Sequence, residues 1–459
     1  MIDINSLSLE EKILQTKVAQ MKKGEKITEQ VGAAFFFGEI ITEAEEGGIE
    51  ELRGYVKDLY ANAKIPPFIT SDFENGCGSM VKCLTPLPYL MGLGASNDEQ
   101  LAYDYGKATA LEACSVGANW TYSPVADLNI NKRNPLVNVR SISDNPDVAS
   151  RLLKQVVKGM QENGLSACAK HFPGDGLDWR DQHIVTTNNT LSFDDWKKKS
   201  GRVFKELIDA GVDTIMAGHI TLPSYQKERD EEFGMPYPAT LSKELITGLL
   251  KNEMGFKGIV VTDALGMGGI NGWYESRERT EIEAFKAGCD MLLWPQLRVV
   301  EHILEKVENG EIPMSRVEDA VSRIMKMKEK IKKTEKCEDA HEFAQRTVDT
   351  LSKNGTCLIK NSMIPIDAEK IKKIRLVGIS TDDKRKELNI LKDEFEKHGA
   401  SVEVYTEWCN YHADFSGVNK DYDLLVFAYM LDNQVPNPIG APAVTTHTSL
   451  IFDRDKTII

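Results

Sequence analysis

Leu165-Ser-Ala-Cys-Ala169 is a short apolar run, and Lys170-His-Phe-Pro-Gly-Asp-Gly-Leu-Asp-Trp-Arg-Asp-Gln-His183 follows it without interruption. The run has the length and composition of a buried strand. Charge arrives abruptly at its end, and Pro173, Gly174 and Gly176 then turn the chain. A strand that ends in ionisable groups held by turn-forming residues has the form of a catalytic loop. Asp181 lies two residues before His183, so its carboxylate can orient the imidazole.

The same arrangement recurs along the chain. Strand-like runs lie at Gly32–Ile41, Pro67–Ser71, Trp120–Leu128, Ser166–Lys170, Thr214–His219, Gly258–Thr262 and Cys289–Trp294. Amphipathic stretches separate them: Glu99–Cys114, Asp147–Glu162, Phe193–Ala210, Lys243–Asn252 and Arg277–Ala287. Such alternation implies a parallel sheet. Asp72, Asp127, Lys170 with His171, His219 and Asp263 stand at strand ends. A polar residue at the carboxyl end of strand after strand predicts a (β/α)8 TIM-like barrel, because a doubly wound sheet gathers its site at one switch point. The α/β barrel domain is expected over residues 1–334, closing on the helical, charged stretch Ser315–Lys333. A smaller α/β sandwich is expected over 335–459, from strands at Leu358–Lys360, Ile374–Ile379, Val402–Tyr405 and Leu424–Ala428 and helices at Ala340–Asn354 and Lys386–Lys397. Asp432–Ile459 carries few signals, so the second domain reads as short or incomplete.

A chain of 459 residues is long enough for two cores. Its 56 Lys+Arg against 70 Asp+Glu give a formal charge of −14. That balance argues against nucleic acid as a partner, since phosphate neutralisation needs clustered cations. It does not exclude a neutral substrate such as a sugar. No apolar run is long enough to span a bilayer, so no membrane partner is expected. Ser8 before Leu9-Glu10-Glu11 reads as a capping box rather than a secretory leader. The cysteines at 77, 83, 114, 168, 289, 337, 357 and 409 form no Cys-x-x-Cys pair and read as reduced thiols. A cytoplasmic monomer or dimer is the expectation.

Read together, several segments resemble the family 3 glycoside hydrolases, and among them the β-N-acetylglucosaminidases. They are Lys170-His-Phe-Pro-Gly-Asp-Gly with Asp181-Gln-His183, Gly258-Ile-Val-Val-Thr-Asp263-Ala-Leu-Gly-Met267, and Ser123-Pro-Val-Ala-Asp127-Leu-Asn129 with Asn134-Pro and Arg140-Ser-Ile-Ser143. Met216-Ala-Gly-His219, Pro238-Ala-Thr-Leu-Ser242 and Ala287-Gly-Cys-Asp-Met-Leu-Leu293 support them, in colinear order over roughly residues 8–330. The Asp-x-His element marks the acetylglucosaminidase subgroup. Two positions depart from the pattern. Asp72-Phe-Glu-Asn-Gly-Cys77 places Cys77 where many members carry a sugar-binding arginine, and Asp175 stands where acetylglucosaminidases often carry histidine.

The resemblance implies a retaining, exo-acting hydrolysis of terminal N-acetylglucosamine from cell-wall or chitin-derived fragments. Asp263 would be the nucleophile, His183 the acid/base and Asp181 its orienting carboxylate. Asp72, Arg140, Lys170, His171, Asp127 and His219 would bind the sugar. The residues alone also admit other readings. Asp263 suits a helix N-cap, Asp181-x-His183 an Asx-turn, Lys170 an ion pair with Asp127 or Asp175, and His219 a satisfied buried imidazole. Trp179 would cover the sugar or anchor the loop. His171, His183, His219 and Asp263 would also suit a hydrolytic metal. Lys170 places a competing cation beside them, so neither metal nor cofactor is expected. Cys77 and Asp175 motivate a β-glucosidase or β-xylosidase alternative. An imidazole repels an attacking anion less than a carboxylate does, which motivates N-acetylglucosaminide phosphorylase activity. A non-catalytic sugar-binding protein is the third class.

Overall fold

The computed structural model of the protein describes residues 4–22, 27, 30–36, 47–231, 234–330, 339–357, 364–380, 385–405, 421–430 and 457–458. The chain forms two compact units, Met1–Thr356 and Cys357–Ile459. The first opens on the helix Leu9–Leu14, with Ser8 and Glu11 closing a capping box as the sequence predicts.

Strands and helices then alternate. The strands are β1 Lys17–Met21, β2 Ala33–Phe36, β3 Phe68–Ser71, β4 Trp120–Thr121, β5 Cys168–Phe172, β6 Thr187–Asn188, β7 Thr214–Ala217, β8 Ile220–Thr221, β9 Ile259–Thr262 and β10 Leu292–Leu293. One sheet runs β10-β1-β2-β3-β4, another β5-β7-β9, and β6 pairs with β8. Every pairing is parallel. Single parallel bridges join Trp120 to Ser166 and Val261 to Met291. The result is an α/β fold with a curled parallel sheet.

Parallel strands covered on both faces become apolar throughout, and every residue of β2, β3, β7 and β9 is buried. The period of two sorts them. Ala33, Phe35, Met216, Ile259 and Val261 join one cluster with Phe68, Trp120, Tyr122 and Leu293. Ala34, Phe36, Ile215 and Val260 face the other way, into the cluster formed with the helices. In the first cluster Phe35 stacks on Tyr122 at 5.7 Å and Phe68 meets Trp120 edge-on at 5.4 Å. The Trp120 indole is buried but satisfied, donating to Thr214 Oγ1 at 3.0 Å.

Several boundaries differ from the sequence reading. The expected strand Trp120–Leu128 is cut to β4, because Pro124 has no N–H to continue the ladder. Phe193–Ala210 divides into helices Phe193–Lys198 and Ser200–Asp209. Glu244–Glu253 winds as a π-helix. β1 was not anticipated: Lys17-Val-Ala-Gln-Met21 mixes polar and apolar residues, so no run stands out. Of Gly32–Ile41, residues 37–41 lie outside the described residues.

The helix Ala340–Asn354, placed by the sequence in the second domain, lies in the first compact unit and packs on the helix Glu99–Ser115. Phe343 beneath the Lys107 ammonium, at 4.7 Å, is part of that contact. The two units therefore divide at 356/357, later than the expected 334/335. The second unit is a parallel sheet of β11 Lys373–Ser380, β12 Ser401–Tyr405, β13 Leu424–Met430 and β14 Thr457–Ile458, ordered β12-β11-β13-β14, with the helix Arg385–Lys397. Ile374, Leu376, Leu388, Val402, Leu424 and Val426 form its core. The expected strand Leu358–Lys360 and most of Asp432–Ile459 lie outside the described residues. Among the described residues no helix is long and apolar enough to cross a membrane.

Two helices of the first unit touch backbone to backbone. A Cβ on Gly106 would lie 2.1 Å from Val156 O, and one on Gly159 2.1 Å from Tyr103 O. Gly106→Ala is therefore expected to destabilise the protein by about 1–3 kcal/mol, as overpacking does. A thermal midpoint equal to that of wild type would refute this close approach.

Candidate active site

Several strands deliver an ionisable residue at or just beyond their ends. Lys170, in β5, is buried with 4% of its side chain exposed. Its Nζ lies 2.7 Å from Asp72 Oδ1, just after β3, and 2.5 Å from Glu74 Oε1. Glu74 in turn accepts two bonds from Arg140, from Nε at 2.8 Å and Nη2 at 2.7 Å. Burial opposes ionisation of Glu74, but Arg140 and Lys170 overcome it and hold the carboxyl well below the usual range. Burial also works against the Lys170 ammonium, and Asp72 with Glu74 more than restores it. Burial raises Asp72, partly offset by Lys170; its side chain keeps 36% exposure. The expected alternative, Lys170 paired with Asp127 or Asp175, does not occur. Glu74 was not singled out in the sequence, although it sits two residues after Asp72 in the matching motif.

Asp127 is placed differently from its expected sugar contact. It accepts from His171 Nδ1 at 2.7 Å, from the His171 N–H at 3.1 Å and from the Asp175 N–H at 2.7 Å. With both oxygens occupied, it orients His171 rather than a ligand. His171 Nε2 then faces Asp263 Oδ2 at 3.9 Å. Asp263 Oδ1 accepts from the Ala264 N–H at 2.7 Å. The next helix, Gly268–Asn271, starts after Met267 and has no side-chain cap, so Asp263 is not an N-cap. Burial opposes the Asp263 charge, but His171, His219, His183 and Lys170 together hold its carboxyl below the usual value.

His219 is a satisfied core residue. Burial lowers its pKa and favours the neutral ring. One consistent tautomer donates from Nε2 to Ala264 O at 3.1 Å and accepts at Nδ1 from Thr240 Oγ1 at 2.9 Å. Both ring nitrogens thus lie within hydrogen-bond distance of protein atoms.

On the loop, Asp181 Oδ1 accepts from both His183 Nδ1 at 2.7 Å and the His183 N–H at 2.8 Å. The Asx-turn and the oriented imidazole are thus one arrangement. Burial pushes Asp181 up, and the His183 bonds bring it below its usual value. The His183 side chain is 40% exposed, and Nε2 has no hydrogen-bond partner among the described residues. Trp179 is 69% exposed. Cys77 is buried, its Sγ 3.3 Å from Thr109 O, so it belongs to the core and not the cleft. Among the described residues no three His, Cys, Asp or Glu side chains are grouped to hold a metal ion.

The model of the glycosyl hydrolase family 3 N-terminal domain matches residues 8–327. The chain is 32% identical over 280 residues, 60% of its length, to a β-N-acetylglucosaminidase/β-glucosidase of Cellulomonas fimi. It is 30% identical over 291 residues, 59% of its length, to β-hexosaminidase A of Pseudoalteromonas piscicida. These matches span about half of either relative, 49% and 48%. A β-glucoside phosphorylase bound to 2FGlc superposes with a TM-score of 0.80 and 27% identity, over 93% of this chain and 80% of that one. A family 3 β-N-acetylglucosaminidase from Paenibacillus sp. str. FPU-7 gives a TM-score of 0.81 at 24% identity, over 99% of this chain and 90% of that one, a likeness of fold.

Asp175 makes the site sensitive to pH. Burial first, then the neighbouring Asp127 charge, pushes its carboxyl up to about 7. Its Oδ1 accepts from Asn134 Nδ2 at 3.0 Å and the Gly176 N–H at 2.6 Å, while Oδ2 is buried without a hydrogen-bond partner among the described residues. A carboxyl with a raised folded pKa favours folding fully below its unfolded value of about 3.9 and loses that advantage as pH rises through the folded value. The thermal midpoint should therefore carry a component that declines between about pH 4 and pH 7, where Asp175 titrates. Asp175→Asn should remove that component, and an unchanged profile in the variant would contradict the assignment.

Proposed function

This chain belongs to glycosyl hydrolase family 3, and we propose that it is a retaining, exo-acting β-N-acetylglucosaminidase. Its substrates would be cell-wall or chitin-derived fragments. The observation that carries this reading is the pairing of a buried Asp263, whose carboxyl is held below its usual value, with a His183 imidazole whose Nδ1 is committed to Asp181. The named activities of the Cellulomonas and Pseudoalteromonas relatives support the sugar. We read the first unit as a (β/α)8 catalytic barrel. The parallel ladder together with its two single bridges, which link the strands β1 to β5, β7, β9 and β10 in order, supports closure. We read the second unit as an α/β sandwich.

In the first step an Asp263 carboxylate oxygen attacks C1 of the sugar. The C1–O bond to the leaving group breaks, and the His183 imidazolium gives its Nε2 proton to the departing oxygen. In the second step His183 Nε2 takes a proton from water, the resulting hydroxide oxygen bonds to C1, and the C1–O bond to Asp263 breaks. Two displacements return the anomeric centre to its starting configuration. Asp181 stabilises the imidazolium and fixes which nitrogen carries the mobile proton. Asp72, Lys170 and His171 bind sugar hydroxyls, with Arg140 and Glu74 holding Lys170 in place. Asp72 accepts hydrogen bonds, so it favours a terminal sugar: a continuing chain would replace one hydroxyl donor by an ether oxygen.

A second reading, phosphorolysis of the glycosyl-enzyme, is favoured by the likeness to the β-glucoside phosphorylase at 27% identity. The same intermediate then transfers its C1 to a phosphate oxygen, giving a sugar 1-phosphate.

Asp263→Ala should abolish release of p-nitrophenol from its N-acetyl-β-glucosaminide, and retained turnover would sink the mechanism. His183→Ala should lower kcat/KM on chitobiose by roughly 10²–10⁴-fold, the usual contribution of general acid catalysis, and much less on activated aryl glycosides. Equal losses on the two would remove His183 from the acid role. With inorganic phosphate present, release of free sugar alone identifies a hydrolase, and sugar 1-phosphate identifies the phosphorolytic reading. A preference for the β-glucoside over the N-acetyl-β-glucosaminide would reassign the sugar.

A further inference from the structure

The loop carrying Asp181 and His183 is tied down along one seam. The Gly268 N–H donates to His183 O at 2.7 Å, and the Gly269 N–H to Gln182 O at 3.1 Å. Thr186 Oγ1 donates to Gly269 O and accepts from Trp273 Nε1, both at 2.7 Å. Gln182, between the two functional residues, is buried, and its Oε1 accepts from the His219 N–H at 3.0 Å. The limbs of the loop are joined as well by the Asn188 N–H, which donates to Asp178 Oδ2 at 2.9 Å, and the returning limb is anchored where β6 pairs with β8.

The approach along the seam is too close for side chains. A Cβ on Gly268 would lie 2.4 Å from Ile184 O and 2.8 Å from His183 O; one on Gly269 would lie 2.3 Å from Gln182 O. Gly268 also follows Asp263 by only a few residues, and the Asp263 N–H is fixed to Ala217 O at 2.9 Å. One short segment thus holds the carboxylate at its start and the imidazole-bearing loop at its end.

We propose that Gly268, Gly269, Thr186 and Trp273 are positioning residues that set the acid/base histidine relative to the nucleophile. This inference rests on the roles given to His183 and Asp263 above. The seam fixes the main chain of His183, and Asp181 fixes its ring. Nε2 is the nitrogen left to face the leaving oxygen. Loosening the seam withdraws the proton donor but leaves the Asp263 carboxylate where it is. The loss therefore falls on leaving groups that need protonation.

The test uses the full chain carrying Thr186→Val or Trp273→Phe, with Gly269→Ala as the more severe variant. The value of kcat/KM reports the glycosylation step, and it is measured for a 2,4-dinitrophenyl and a methyl N-acetyl-β-glucosaminide. Amide hydrogen exchange is followed in the same proteins. For the methyl glycoside we expect a loss of about tenfold or more, within the roughly 10²–10⁴-fold range of general acid catalysis. The dinitrophenyl glycoside should react at close to the wild-type value. Exchange should quicken at residues 182–186 and 268–269 and stay unchanged in β5, β7 and β9. Proportionate losses on both substrates, or unchanged exchange at Gly268 and Gly269, would overturn the proposal. A wild type inactive on both substrates would sink the N-acetylglucosaminidase reading, while exchange in the variants would still decide whether the seam holds the loop.

Discussion

The Lys170 ammonium, buried at the end of β5, has to be paired, and much of the surrounding site follows from that requirement. An unpaired buried charge costs several kcal/mol, so its partners must be brought to it. Asp72 arrives at the end of β3 and Glu74 two residues further on. Two carboxylates around one ammonium leave a surplus of negative charge, which Arg140 cancels with a two-pronged contact. Loops after separate strands are thereby fixed relative to each other by electrostatics as well as by packing. Next door, the same logic uses an imidazole: Asp127 binds His171, and His171 turns its second nitrogen toward Asp263.

Much of this was legible in the sequence, and for a physical reason. A buried parallel strand must be apolar, so the first ionisable residue after it marks where the strand reaches the sheet edge. Asp72, Lys170, His171 and Asp263 were found in that way, and the structure brings them together. The sequence could not tell which of these residues face the cleft and which face one another. Asp127 and His219 carry the same signature, yet one is saturated by three N–H groups and the other has both ring nitrogens occupied. Glu74 was missed because its value comes from Arg140, 66 residues away in sequence. β1 was missed because three of its five residues are not strongly apolar. The helix Ala340–Asn354 is legible as a helix, but an amphipathic pattern does not name the surface it covers, here the helix Glu99–Ser115.

Asp263 and Asp175 are both buried, yet their carboxyls shift in opposite directions. Asp263 lies near His171, His219, His183 and Lys170, and its carboxyl is lowered despite burial. Asp175 has a carboxylate, Asp127, as its nearest charge and is pushed toward the protonated form. Burial alone therefore does not decide the charge of a carboxyl in this fold; the sign of its neighbours does.

The short stretch from Asp263 to Gly269 acts as a ruler. Its first residue is registered on β7 and its last on the neighbouring loop, and both marks are backbone hydrogen bonds, the second made at a glycine whose position leaves no room for a side chain. Between them, Ala264, Leu265 and Met267 are free to vary so long as they fill the same space. The number of residues is not free. An insertion or deletion there would shift one mark against the other, whereas the exposed turns of the outer loop tolerate length changes. Variation in relatives of this protein should accordingly exchange residues within the stretch while keeping its count, and concentrate changes of length elsewhere.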